Sequence, residues 1–195
     1  MNILANLKSK KGFTLIELLI VIAVLGVLAV VVLVAINPAQ QLARTRDAGR
    51  ASTVAQLGHA IEAFAAARNG VYPTDNNGVF TCLPAAYNTG PAWITNCLLA
   101  SGELQIVPAA PANSTTCDLT GAGTSIESNW CLDADGNSAV VFASAEALVN
   151  RQQCGTGVND HAYFAYATGA GRGGLWCCNG VNCEPDANTT AGFAL

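Results

Sequence analysis

The chain changes its hydrophobic pattern at two points. From Phe13 to Ile36, 24 residues carry a single charge, Glu17, and no proline. Leu, Ile, Val and Ala dominate, which predicts one continuous helix apolar on every face. At about 1.5 Å per residue the run is roughly 36 Å long, enough to cross a bilayer. Asn37-Pro38 breaks the pattern. Pro38 removes a backbone donor and disfavours helical geometry at Asn37, so a kink or short unwound stretch is expected. The polar segment Gln40 to Arg50 follows, with Arg44, Arg46, Asp47 and Arg50. Val54, Leu57, Ile61 and Phe64 then recur at spacings of three and four, the signature of an amphipathic helix. Arg68-Asn69-Gly70 offers a basic last turn and a glycine suited to the exit. The helix is predicted over Phe13–Asn69, weakest near Pro38.

The second change comes at Val71. The 125 residues to Leu195 hold short β-rich runs separated by Gly, Asn and Pro. Ser138–Ser144, His161–Ala167 and Leu175–Cys178 read as strands, and Trp93–Ser101 as a short helix ending at Gly102. No internal repeat is visible. The prediction is an α+β fold. Its long N-terminal helix is exposed in its first half and packs in its second half on a small, antiparallel, loop-rich head. The segments are 1–12, a basic flank; 13–36, a membrane or core helix; 37–69, its amphipathic continuation; and 70–195, the head.

Charge sharpens this division. Lys8, Lys10 and Lys11 precede the apolar run with no acid among the first twelve residues, which places the N-terminus in the cytoplasm. The head carries ten acids against Arg151 and Arg172, a net of −8, and no lysine follows Lys11. So acidic a head argues against direct phosphate binding, and hence against a nucleic-acid partner. Glu17 is the anomaly. An uncompensated acid near a bilayer centre costs about 2.5–3.5 kcal/mol on insertion scales. The run is also too long for a secretory signal, whose apolar core spans about 7–15 residues before a small-residue cleavage site. A plain signal anchor explains the length but not Glu17; a carboxylate reaching back to the headgroups would explain Glu17 alone.

Lys11-Gly12-Phe13-Thr14-Leu15-Ile16-Glu17-Leu18-Leu19 resembles the N-terminus of type IV pilins and type II secretion pseudopilins. The resemblance implies a pilin-like fold and a removable leader, Met1–Gly12. It implies cleavage between Gly12 and Phe13 by a membrane aspartyl prepilin peptidase, which then N-methylates Phe13. It implies a single-pass precursor in the cytoplasmic membrane, later extracted by an assembly ATPase and a platform protein into a homopolymer or a filament of related pilins. Glu17 would then meet the ammonium of a neighbouring Phe13 and set the register. Gly70-Val71-Tyr72-Pro73-Thr74 is a second, weaker resemblance, since Gly-x-Tyr-Pro-Thr is frequent there in the family. The expected function is a structural pilin of a cell-surface pilus or fimbrium, used in adhesion, motility or DNA uptake. The alternatives are a type II secretion pseudopilin and a non-polymerising, membrane-anchored exported protein.

All eight cysteines lie in the head: Cys82, Cys97, Cys117, Cys131, Cys154, Cys177, Cys178 and Cys183. An even number in an exported, loop-rich domain predicts disulfides. Neighbour pairing gives Cys82–Cys97 and Cys117–Cys131; the last four stay open, because Cys177 and Cys178 are adjacent. Zinc on Cys177, Cys178 and Cys183 has poor spacing and no nearby histidine. Leu132-Asp133-Ala134-Asp135-Gly136-Asn137 resembles the start of a calcium loop, with Asp133 and Asp135 as ligands. The downstream bidentate glutamate is missing at the proper spacing, and a β-turn accounts for the same residues. No other cofactor is expected. Asn113-Ser114-Thr115 and Asn188-Thr189-Thr190 match the glycosylation triplet, which is common by chance. No catalytic constellation is visible: His59 and His161 are the only histidines, with no Gly-x-Ser-x-Gly, P-loop or HExxH. Asp160-His161 are neighbours in a strand, and such neighbours point to opposite faces. The chain reads as a non-enzyme.

Overall fold

A computed structural model of the chain describes residues 12–76, 79–82, 87–88, 92–112, 124–155, 157, 160–179, 185–187 and 193–194. The chain divides into two units, Met1–Gln41 and Leu42–Leu195.

In the first unit, helix α1 spans Leu15–Ile36 and buries none of its residues. The large apolar side chains from Phe13 to Ile36 are 51–92% exposed. Asn37 ends the helix at φ 40° and ψ 78°. The break expected at Pro38 is thus one left-handed residue, a conformation that asparagine tolerates better than most. Pro38 opens helix α2, Pro38–Ala66, at the one position where its missing N–H costs nothing.

In the second unit, α2 buries a stripe at Ala43, Asp47, Arg50, Val54, Leu57, Ile61 and Phe64. Steps of four and three keep these residues on one face. The helix stops at Ala66, short of the predicted Asn69. Asn69 and Gly70 both take positive φ, 56° and 81°, and Gly70 donates to the Ala65 carbonyl at 2.9 Å. Arg68 closes the end from outside, donating to the Phe64 carbonyl at 3.1 Å and lying 3.6 Å over the Phe64 ring.

The head holds two antiparallel sheets. A small one orders β1 (Thr74–Asn76), β2 (Val79–Cys82) and β3 (Tyr87–Asn88). The main one is a five-stranded meander: β4 (Thr124–Glu127), β5 (Trp130–Ala134), β6 (Ala139–Ser144), β7 (Asp160–Ala167) and β8 (Arg172–Asn179). Ser128 and Asn129, at φ 52° and 61°, form the two-residue β4–β5 turn, whose left-handed residues match the strand twist. Central β6 is buried from Ala139 to Ala143 because each face has its own cover. Ala139, Val141 and Ala143 join the cluster of α2, with Leu57, Ile61, Phe64, Trp93 and Tyr166. Val140 and Phe142 pack on the other side with Tyr163, Trp176 and Phe193. The helix read at Trp93–Ser101 has a π-helical middle, Ile94–Leu99, held by Glu127 through the amides of Ile94 and Thr95. Helix α3 is short, Leu148–Gln153.

Disulfides join Cys82 to Cys97 and Cys154 to Cys177. The first ties β2 to the π-helical segment; the second ties the end of α3 to β8. Cys131 and Cys178 are also disulfide-bonded. Cys117 and Cys183, like both glycosylation triplets and residues 1–11 of the leader, lie outside the described residues.

Candidate functional site

The residues singled out at the head of the apolar run sit at the N-terminus of α1. Thr14 is the N-cap, with extended φ −79° and ψ 153°. Its Oγ1 accepts from the Glu17 amide at 3.3 Å. Glu17 reaches back in turn: its Oε2 accepts from the Thr14 amide and from Thr14 Oγ1, both at 2.8 Å. The pair forms a reciprocal capping box, which satisfies amides that the first turn leaves without helical partners. The carboxylate also lies at the positive end of the helix dipole.

This geometry changes the meaning of Glu17. The acid stands in the first turn of its helix, compensated by its own chain, rather than bare in an apolar span. Thr14-x-x-Glu17 has the spacing of a capping box in the sequence itself. Phe13 is 92% exposed, and nothing lies within 4 Å of where a side chain at Gly12 would begin. Among the described residues the Gly12–Phe13 junction is therefore open.

In the second unit, four charges brace α2 to the head. Asp47 and Arg50 are only 1% and 2% exposed. Asp47 accepts from the Glu146 amide at 2.9 Å, the Ala147 amide at 2.8 Å, Asn150 Nδ2 at 2.7 Å and Arg50 Nη1 at 2.5 Å. Arg50 Nη2 donates to the Ala112 carbonyl and to Glu146 Oε2, the latter at 3.1 Å. Arg46 forks onto both oxygens of Glu146, which holds its guanidinium above its ordinary pKa. Two acids and two bases cancel, which is how charges this buried are tolerated. By pattern alone this stretch is polar and the apolar stripe begins at Val54. The heptad spacing from Ala43 through Asp47 and Arg50 to Val54 carried the missing signal.

A further cluster lies farther along α2. Tyr166 Oη donates to Glu62 Oε1 at 3.0 Å and lies 3.2 Å from His59 Nδ1. Burial of the ring and the Glu62 carboxylate push the phenol up to about 12. Of the two histidines, His59 belongs to this contact, while His161 is half-buried and stacks on Tyr163 with centroids 6.3 Å apart.

The calcium-like segment is a turn in the structure. Asp135 Oδ1 accepts from the amides of Asn137 and Ser138, both at 2.9 Å, with Gly136 at φ 89° between them. Asp133 lies within β5, opposite Val140. Among the described residues no group of three or more His, Cys, Asp and Glu side chains is placed to hold a metal ion. The same turn receives the Gly70–Thr74 exit: Tyr72 N donates to the Gly136 carbonyl at 3.0 Å, and Gly136 N to the Pro73 carbonyl at 3.1 Å. Zinc on the C-terminal cysteines does not fit, because Cys177 and Cys178 are both in disulfides.

The model of one family, the prokaryotic N-terminal methylation motif, matches residues 7–33. The match covers the end of the basic flank, the Gly12–Phe13 junction, the capping box and most of α1, and none of the head. No curated protein and no solved structure gives a significant match. An apolar helix long enough to cross a membrane and the matched motif fit a membrane-anchored precursor. The chain carries at its N-terminus the prepilin leader signature of type IV pilins and pseudopilins, a structural rather than an enzymatic class.

Proposed function

We propose that the chain is a pilin: a structural subunit cut between Gly12 and Phe13, N-methylated at Phe13, and polymerised into a type IV pilus or closely related filament. The observation that carries this reading is α1 itself. It is 22 residues long, buries nothing, and has large apolar side chains on every face. Such a surface needs lipid or other copies of itself. The matched motif supports both in sequence, a membrane-held precursor and then a fibre. Partners on this reading are a prepilin peptidase, an assembly ATPase, a platform protein, and other copies or related pilins. The disulfide-braced head suits exposure outside the cell, where a bridge contributes about 2–4 kcal/mol.

The capping box refines the role of Glu17. Cleavage after Gly12 would create an ammonium on Phe13, one residue before the amide that Glu17 already holds. Glu17 uses Oε2 for the cap, and Oε1 makes no hydrogen bond among the described residues. The carboxylate can therefore cap its own helix and still present an oxygen to an ammonium, its own or a neighbour's. Once desolvated, removing one partner of such a pair costs about 3–5 kcal/mol.

Glu17→Gln and Glu17→Ala separate the two roles, with filaments sheared from cells as the readout. Glutamine retains the capping acceptor but not the charge. If the charge sets assembly, both variants lose filaments while the precursor stays in the membrane. Normal filament yield from Glu17→Ala, with the variant chain in the filaments, would defeat the assembly role of Glu17. Loss in Glu17→Ala alone would reduce Glu17 to a cap.

A further inference from the structure

Outside the N-terminal helix, one surface of the second unit lacks an occupant among the described residues. A half-open groove of about 400 Å³ runs between α2 and the β7–β8 hairpin, lined by Ala51, Val54, Ala55, His59, Phe164 and Arg172. Gly171, just before β8, and Gly173 and Gly174 within it form the groove's β8-side wall, so backbone replaces side chains there. At Gly173 the sequence has no latitude: an added Cβ would lie 2.9 Å from Tyr166 Cδ2. The groove is thus built by the same tyrosine that anchors α2. At its rim, Arg172 is exposed and makes no ion pair among the described residues; its one side-chain contact lies 4.8 Å over the Phe193 ring. It is one of two cations in a head with ten acids.

The complementary feature is a knob on the same unit. Ile106 is 76% exposed, more than any other large apolar side chain described from Leu42 onward. It projects from a loop that is fixed on both sides. Leu104 and Val107 pack on the core, Leu104 N donates to the Leu98 carbonyl at 3.1 Å, and the Pro108 carbonyl accepts from Trp130 Nε1 at 3.3 Å. Glu103, three residues before the knob, is half-exposed and makes no ion pair among the described residues. Trp130 belongs to β5, while the groove lies along β7 and β8. At about 4.8 Å per strand, β5 and β8 are roughly 14 Å apart across the sheet. Knob and groove therefore sit toward opposite ends of one sheet.

We propose that Ile106 of one copy seats in the α2–β8 groove of the next, with Glu103 paired to Arg172. Two different patches of one chain make a heterologous contact, which propagates head to tail and yields an open helical array when the rotation does not close. The occupant is a second copy because Glu103 and Arg172, each without an ion pair among the described residues, are of opposite sign, one lying three residues from the knob and the other lining the groove. This contact rests on the polymer reading above and adds an interface made by the heads.

The test places a photo-crosslinking amino acid at Ile106 of the full-length chain in its native cells. Irradiated assemblies are expected to give a homotypic adduct mapping to residues 51–59 or 171–174 of the second copy. Arg172→Glu and Glu103→Arg each lower its yield several-fold, and the double variant restores it. Adducts mapping elsewhere in an assembled filament, adducts only to a different protein, or a yield unmoved by both single variants would overturn the contact and leave polymerisation standing. A wild-type chain that forms no assembly at all would instead overturn the polymer reading, and this contact with it.

Discussion

Helices α1 and α2 follow one another in sequence and solve opposite problems. In α1 every large side chain but Glu17 is apolar, and none is buried. In α2 the stripe that is buried contains two full charges, Asp47 and Arg50. Hydrophobicity therefore does not decide which helix is covered within a single copy. The covered helix carries specific partners written into the same chain: amides at Glu146 and Ala147, the Ala112 carbonyl, and Glu146 itself. The uncovered helix carries none, except at its first turn, where Glu17 and Thr14 satisfy each other. A helix complete in one copy is a structural element; a helix that remains apolar all round awaits another environment. This difference, rather than any feature of the head, makes the chain read as a subunit.

The comparison breaks most visibly at Asp47. Asp47→Ala leaves Arg50 buried with one carboxylate fewer and two amides without acceptors, so denaturant unfolding of the head should lose about 3–5 kcal/mol. A loss below 1 kcal/mol would mean that the buried charges do not brace α2. Two glycines of the same helix sharpen the point. At Gly58 an added Cβ would lie 2.2 Å from Tyr166 Cδ1, whereas at Gly49 nothing lies within 4 Å. Gly58→Ala should therefore destabilise by about 1–3 kcal/mol through overpacking. Gly49→Ala should stabilise by roughly 1 kcal/mol through helix propensity alone. Thermal unfolding of both variants checks the opposite signs, and equal signs would contradict the close packing of α2 on β7.

Much of this was legible in the sequence, for identifiable reasons. The run from Phe13 to Ile36 has one reading because a long apolar stretch has few alternatives. The strands at Ser138–Ser144, His161–Ala167 and Leu175–Cys178 are legible because they are buried or alternating, and the structure moves no end by more than three residues. Strands β4 and β5 were not found: their turn, Ser128-Asn129, lacks the glycine that usually marks a two-residue hairpin. The small sheet escaped because three strands of two to four residues carry too little periodicity. At the site, Gly12, Phe13 and Glu17 were visible by motif, but the capping box was missed because Glu17 was weighed as a charge rather than as an acceptor. The Asp47–Arg50–Glu146 brace joins residues about a hundred positions apart, and no local pattern encodes such a pairing.

Smaller effects probe the same contrast. Tyr166 titrates at about 12 in the folded chain against an ordinary value near 10. The folded state then holds a proton that the unfolded state releases, so stability is unaffected below pH ~10 and falls as pH rises toward ~12. Tyr166→Phe removes this alkaline loss, which unfolding curves across that range would show. Last, Glu17→Ala should leave unfolding of the head unchanged within about 0.5 kcal/mol, because the hydrogen bonds of the capping box stay within the first turn of α1. A large shift would show that Glu17 does more than cap its own helix.

The central claim is that α1 is released from its leader and carried into a filament. Mass spectrometry of the chain's N-terminus, on filaments sheared from the cell surface, tests it most directly. The account predicts that the chain is present there, begins at Phe13 and carries one extra methyl group. A chain absent from the filaments and found only in the membrane with Met1 retained would contradict it.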